Sequence, residues 1–485
     1  MALGRKLAYN VTVNVVMKVA STALALVGIG LMTRYLGTAG FGAYATVLAF
    51  FALFVALEDF GLYQVTARNI GKQSQQDEQY TIERIFTLRA IISLTVLFLA
   101  IISVPFLPYT YNIRFAIILI GIAFFFSSGY GLLNSVFQKH LRMDLVVITE
   151  FFGKVLQVGW IAGVMYFDAG FIWLVAGIIV AMAFNFTVIA YLARRFVKLR
   201  LVWDLPYWRA FLAQSLPMGI AAIITFFYFK VDMLLLSFLK DDTAVGIYGA
   251  AYKIMENLIF FPAMVMGLML PILSRTLTSN RAQFNLFANK TLKVFSVIIL
   301  PILVGILFRA DDIMRIVGGT HFDFHASATV LRMTAFALFF IFFGQFFTIL
   351  LLVGNLQKRL MIALTICALF NVTGNWVLIP HFSYNAAAAM SVATEGLVVL
   401  LSATLVARHI RYTPHIPQLL RILIATGAMG AALFITQDVG LFYAIIIAAI
   451  TYAIALWTTR AISINELRSI FAKDEHTSQI TESTV

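Results

Sequence analysis

Apolar residues run through this chain in long blocks, with polar residues gathered in the short breaks between them. Residues 32–68 show the plan. They hold the end of one apolar helix, the tight turn Gly37-Thr38-Ala39-Gly40, and a second helix whose run over residues 41–57 carries no charge. A helix needs roughly 20 apolar residues to cross a bilayer core of about 30 Å, so each block of this length predicts a spanning helix. A short Gly-rich turn sets two such helices side by side and antiparallel. Counting these windows along the chain gives about 14 spans. The longest connections before the tail, residues 67–83 and 309–325, are roughly 17 residues, too short to hold a soluble catalytic domain.

The pattern also returns. Gly42 and Tyr44 of the first hairpin are echoed by Gly246 and Tyr248 within residues 237–275, where a short polar turn again precedes a long apolar run and a closing Arg. Gln138-Lys139-His140-Leu141-Arg142-Met143 opens the fifth window, and Gln357-Lys358-Arg359-Leu360-Met361 opens the eleventh. Between the halves lies the most basic connection, residues 194–206. The expected fold is therefore an all-α polytopic membrane protein with about 14 transmembrane helices in two six-helix lobes plus a C-terminal helix pair. The expected boundaries are 1–200 and 201–411 for the lobes, 412–460 for the pair and 461–485 for a tail. Internal repeats of this kind mark transporters, whose substrate sites lie where the repeats meet.

Composition sharpens this picture. An apolar fraction of 61% with only 12% charged residues leaves too little polar surface for a soluble enzyme of this length. Arg5 and Lys6 lead into an apolar run with no small-residue cleavage site, so the first helix is expected to stay in the protein. With an N-terminus in the cytoplasm, the flanks on that side collect most of the 35 basic residues, while the opposite flanks hold few, among them Arg34, Arg114, Lys240, Arg309 and Arg315. Such a bias places both termini in the cytoplasm and the chain in the cytoplasmic (inner or plasma) membrane. The net charge of +13 is then mostly topological, and a nucleic-acid partner is not implied. Cys367 is the only cysteine, which excludes an intramolecular disulfide.

Several stretches carry a family resemblance. Tyr35-Leu36-Gly37-Thr38-Ala39-Gly40-Phe41-Gly42-Ala43-Tyr44, Glu58-Asp59-Phe60-Gly61-Leu62 and Thr66-Ala67-Arg68-Asn69-Ile70 resemble the first hairpin of the oligosaccharide flippases. Leu356-Gln357-Lys358, Asn371, Asn375, Leu378-Ile379-Pro380 and Asn385-Ala386-Ala387-Ala388-Ala389 resemble the eleventh and twelfth helices of the same group. These are the Wzx or RfbX-like members of the multidrug/oligosaccharidyl-lipid/polysaccharide exporter superfamily. The resemblance implies a flippase that moves a polyprenyl-linked saccharide from the cytoplasmic to the outer leaflet. It also implies two lobes around a central cavity and a final helix pair flanking a groove for the lipid tail. The family often opens its twelfth helix with Gly where this chain has Asn385-Ala386.

Ionisable groups at membrane depth are costly and should face water or a partner. Lys18, Arg34, Lys154, Lys230, Lys253 and Arg332 are read as cations that hold an anionic diphosphate-linked glycan, with Asn371 and Asn375 as donors and acceptors for sugar hydroxyls. Arg34 and Arg332 also lie where they can snorkel to headgroups, and Asn185, Asn257, Asn371, Asn375 and Gln345 can equally bind neighbouring helices. Glu150, Asp232, Glu256 and Glu395 are read as coupling candidates. Glu150 with Lys154 and Lys253 with Glu256 have the spacing of same-face pairs, whereas Lys18 and Lys230 have no obvious same-face acid. Glu395 has a structural reading as partner to a basic residue, and Glu58 and Asp59 one as neutralisers of Arg68. Asp59-Phe60-Gly61 matches a kinase tripeptide by chance, since no phosphate loop accompanies it. His321, Asp323 and His325 specify no further ligand, so no metal site is read, and no cofactor is implied beyond H+ or Na+ coupling. The implied partners are the lipid-linked oligosaccharide, membrane lipids and other polysaccharide-assembly proteins. A drug or cation antiporter of the same superfamily is the alternative, and a membrane-embedded polymerase or glycosyltransferase would need a catalytic loop that the chain lacks.

Overall fold

The computed structural model describes residues 3–319 and 322–461, with side chains from residue 13 onward. His321 of the alternating His-Asp-His segment and the tail beyond residue 461 lie outside the described residues. In chain order the helices are α1 (Leu3–Asp59), α2 (Leu62–Ile70), α3 (Gln75–Ser103), α4 (Tyr111–Leu119), α5 (Gly121–Lys139), α6 (Met143–Tyr166) and α7 (Phe171–Ala193). They continue as α8 (Leu205–Leu239), α9 (Asp242–Leu258), α10 (Phe260–Ser279), α11 (Arg281–Gly318), α12 (Phe324–Val353), α13 (Gln357–Leu405), α14 (Leu419–Ile435) and α15 (Leu441–Thr458). No β-strand occurs among the described residues. Among the described residues eleven helical stretches are long and apolar enough to cross a membrane, and α14 is a shorter apolar helix. The protein is an all-α, multi-pass membrane protein.

Two stretches expected as connections are largely helical. Residues 67–83 hold the end of α2 and the first two turns of α3, because Ser74 caps α3 by accepting from the Asp77 N–H at 3.3 Å, with Asp77 and Glu78 in the first turn. Residues 309–318 belong to α11, whose backbone bends at Arg309. The apolar windows located the membrane-spanning part of these helices but not their polar extensions.

Two rods are also broken inside. α1 turns at Gly37 (φ 65°, ψ −173°), a left-handed conformation that glycine adopts at little cost. α13 turns at Ser383 (φ 52°, ψ −135°), three residues after Pro380, which cannot donate to the helix ladder.

The chain divides into two compact units. The first takes Met1–Leu258, Met314–Thr334 and Gln357–Val398. Its organising contact is the crossing of the second arm of α1 with α9, where the echoed Gly-X-Tyr segments meet. A Cβ on Gly42 would collide with the Asp242 carbonyl, and a Cβ on Gly246 would collide with the Thr38 carbonyl, so each glycine lets the other helix's backbone approach. Tyr44 and Tyr248 behind them are buried. Thr33 and Arg34 donate to the Val317 and Ile316 carbonyls, each at 2.6 Å, satisfying acceptors at the end of α11.

The second unit takes Ile259–Ile313, Ala335–Leu356 and Val399–Val485. In it α14 and α15 pair through Ile422, Ala425, Met429, Ala444, Ala448 and Tyr452, and pack on Val297, Leu300 and Val304 of α11. Arg309 is 4% exposed and donates to the Gln437 carbonyl at 2.9 Å, the Asp312 carboxylate at 2.9 Å and the Thr436 carbonyl, tying off the C-terminal end of α14.

Overpacking at a backbone contact destabilises by about 1–3 kcal/mol, so Gly42→Ala and Gly246→Ala are each expected to lower the unfolding free energy of the purified protein by that amount. Gly163, with open space around it, is the control. Its change to Ala is expected to be neutral or stabilising by up to about 1 kcal/mol. Equal effects at all three positions in a denaturant titration would contradict the close crossing.

Candidate functional site

A cavity of about 310 Å³ opens inside the first unit, walled by α1, α6, α7 and α9. Its apolar wall includes Ile29, Met32, Phe41, Tyr44 and Phe51, and its polar lining is Lys154, Gln157, Lys253, Glu256 and Asn257. The size falls at the lower end of the range of about 300–1,000 Å³ typical of ligand sites.

Glu256 organises the charges. Its Oε1 accepts from Lys230 Nζ and its Oε2 from Lys253 Nζ, each at 2.6 Å, and the three side chains are 22–35% exposed. Lys230 therefore has an acid that its own helix spacing did not reveal, supplied by α9. Its ammonium group also lies 4.9 Å from the centre of the Tyr252 ring. The expected Lys253–Glu256 pair is present. The expected Glu150–Lys154 pair is not among the ion pairs of the described residues: Glu150 accepts from the Tyr130 hydroxyl at 2.7 Å, and Lys154 donates to Gln157 Oε1 at 2.9 Å. The result is a cluster in which Glu256 serves Lys230 and Lys253 while Lys154 is held by an amide.

Other expected site residues lie elsewhere. Arg34 is committed to the Ile316 carbonyl, and Arg332 on α12 does not line the cavity. Asn371 and Asn375 are 2% and 0% exposed. Asn371 donates to Thr394 Oγ1 at 3.1 Å and Asn375 donates to Asn371 Oδ1 at 3.0 Å, so this pair joins the two arms of α13 instead of facing sugars in the cavity. Asp232 is buried and accepts from the Tyr248 hydroxyl and, at 3.2 Å, from Ser391. Glu395, also buried, interacts with the Tyr228 hydroxyl, and no basic partner for it occurs among the described residues. The structural reading of Glu395 as half of an ion pair is thereby corrected.

The sequence reading missed Arg89. It is 2% exposed in the middle of the first unit, and it donates to Asp59 at 2.7 Å, to Glu58 at 3.4 Å and to the Ser128 carbonyl at 3.3 Å. Glu58 also accepts from the Ser128 hydroxyl. These acids answer Arg89 on α3, not Arg68 as sequence proximity suggested. The available signal was an arginine inside the apolar run of α3, where an unpaired charge is costly. The Asp59-Phe60-Gly61 tripeptide is the tight turn between α1 and α2, in which Gly61 (φ 76°) packs against the backbone of Met218 and Gly219. This network borders a second cavity of about 610 Å³ that also meets Tyr63, Tyr130 and Asn134.

The family model described as a polysaccharide biosynthesis protein matches residues 7–277, more than half of the chain. The chain belongs to this family. A second model, MatE, matches residues 217–377. No curated protein matches the sequence. Among solved structures, a lipid II flippase, MurJ, in an inward closed conformation, is similar over 91% of this chain and 98% of its own, with a TM-score of 0.76 at 16% identity. A multidrug resistance MATE family transporter of the MOP superfamily matches in its inward-facing conformation with a TM-score of 0.66 at 13% identity, covering 83% of this chain and 99% of its own. An outward-facing conformation of such a transporter matches at 0.57 and 14% identity, covering 83% and 95%. The polysaccharide biosynthesis family member described here thus has the fold seen in MOP-superfamily transporters.

Removing one partner of a buried ion pair costs about 3–5 kcal/mol because the remaining charge is stranded. Arg89→Gln is expected to destabilise the protein by that amount, and the triple change Arg89→Gln, Glu58→Gln and Asp59→Asn to recover much of the loss. A denaturant titration in which the triple variant is no more stable than Arg89→Gln would show that the network is not what makes Arg89 necessary.

Proposed function

We propose that this protein flips an anionic polyprenyl-linked oligosaccharide from the cytoplasmic to the outer leaflet by alternating access, for cell-surface polysaccharide or glycan assembly. The observation that carries this reading is the group of cations at the cavity: Lys154 and Lys253 in its lining and Lys230 bonded to the Glu256 carboxylate that Lys253 shares. A diphosphate cannot enter hydrocarbon bare, and ammonium groups in a wet cavity offer it charge-assisted hydrogen bonds. Gln157 and Asn257 in the same lining supply groups suited to sugar hydroxyls. Membership of the polysaccharide biosynthesis family and likeness to a lipid II flippase support a lipid-linked glycan as cargo.

The finer architecture belongs to the same proposal. Dividing α1 at Gly37 and α13 at Ser383, and adding α14 to the long apolar stretches, supports about fourteen spans in two six-helix lobes with a final pair. The charge bias of the flanks supports cytoplasmic termini. Within this reading Lys18, Lys154, Lys230 and Lys253 hold the diphosphate, and Glu150, Asp232, Glu256 and Glu395 remain the acids through which H+ or Na+ would couple. A cation or drug antiporter is the second reading, favoured by the MatE match over residues 217–377. Its cargo would be repelled by the lysine cluster, which is why it ranks second.

The test is translocation of a fluorescent polyprenyl-diphosphate oligosaccharide in liposomes containing the purified protein. Lys154→Gln and Lys253→Gln are each expected to slow transport about tenfold or more, the worth of one hydrogen bond to a charged group, with Lys253→Arg retaining part of it. If the wild-type protein moves no such lipid but expels a cationic dye under a proton or sodium gradient, the antiporter reading replaces this one.

A further inference from the structure

Residues 194–204, which join α7 to α8, form a turn followed by an extended run with no helix. This ribbon is tied down by side chains of neighbouring helices. Gln79 on α3 donates to the Lys198 carbonyl at 2.7 Å and accepts from the Lys198 N–H at 2.8 Å, and Thr87 accepts from the Val202 N–H at 2.8 Å. Phe196 stacks on His140 with ring centroids 4.3 Å apart, and Val197 is buried. With its backbone held on one side, the ribbon presents a fixed outer strip.

That strip joins two chemistries. Arg194, Arg195, Lys198 and Arg200 are exposed. Beside them Leu201 and Trp203 are each 73% exposed and Leu205 is 62% exposed. The one acid of the ribbon, Asp204, is already engaged: it caps α8 by accepting from the Tyr207 N–H at 3.1 Å, and Arg84 contacts it at 2.5 Å. The hydrogen bond from Arg84 holds its carboxyl below the usual carboxylate range, so it stays ionised and spent on Arg84. The four exposed cations are left without an acid on their own segment.

We propose that this ribbon is a binding site for the headgroups of anionic phospholipids. Both of its ends run directly into spanning helices, which sets it at the level where hydrocarbon gives way to headgroups. Tryptophan with flanking arginine and lysine suits that layer, the ring resting against acyl chains and the cations meeting phosphodiesters. Free phosphate would leave Leu201, Trp203 and Leu205 uncovered, and a soluble acidic protein would have to enter the headgroup layer to reach them. The site is independent of the cavity and of what the cavity carries.

The test uses the full chain in phosphatidylcholine liposomes and reads quenching of tryptophan fluorescence by brominated lipid. Brominated phosphatidylglycerol is expected to quench at several-fold lower mole fraction than brominated phosphatidylcholine, with the difference lost in W203F. In R194Q/R195Q/K198Q/R200Q the preference is expected to disappear, while R194K/R195K/R200K keeps it. Circular dichroism melting separates a folded variant from an unfolded one, and W203F provides the comparison if the neutralised variant fails to fold. Equal quenching by the two lipids, a preference that survives neutralisation, or displacement of the lipid by soluble glycerol phosphate would overturn the proposal. Displacement by polyglutamate would assign the strip to an acidic protein and overturn it as well.

Discussion

A charge at membrane depth must have a partner or water, and the arrangement of this protein's interior follows from how each charge meets that demand. Arg89 is enclosed by Glu58, Asp59 and the Ser128 carbonyl, with almost no exposure. Asp232 is answered by two hydroxyls, from Tyr248 and Ser391. Both networks draw their members from helices distant in sequence, and both fix helices against one another. Such closed networks specify the packing, since shifting any one helix would strand a charge.

The lysine cluster meets the same demand differently. Glu256 spreads one negative charge over Lys230 and Lys253, and Lys154 is content with an amide. Two ammonium groups share one carboxylate there, and these three side chains stay 22–35% exposed. An excess that water can tolerate when the cavity is empty is an excess that an anion can use. A single carboxylate among the lysines also tempers their attraction, which suits a transporter that must release its cargo.

What could be read from the sequence, and what could not, divides along the same physical line. Apolar windows reveal spanning helices because the bilayer thickness sets their length, and the Gly-X-Tyr echo marked the two segments that cross at Gly42 and Gly246. Lys253 and Glu256 were legible because three residues on a helix set them on one face. The partners of Lys230, Glu150 and Arg89 were not, since each comes from another helix and spacing carries no information about it. Tyrosines answered acids at Glu150, Asp232 and Glu395, a role that a search for opposite charges overlooks. Asn371 and Asn375 had two readings from sequence, and the hydrogen bonds follow the helix-joining one, linking the arms of a broken rod.

The central claim is that the cavity selects negative charge. Its most direct test is equilibrium binding of polyprenyl diphosphate, neutral polyprenol and a cationic dye to the purified protein at several salt concentrations. The account predicts that the diphosphate binds far more tightly than the polyprenol, that its affinity falls as salt rises, and that the dye does not compete. Equal binding of diphosphate and polyprenol, or a dye that displaces the diphosphate, would contradict it.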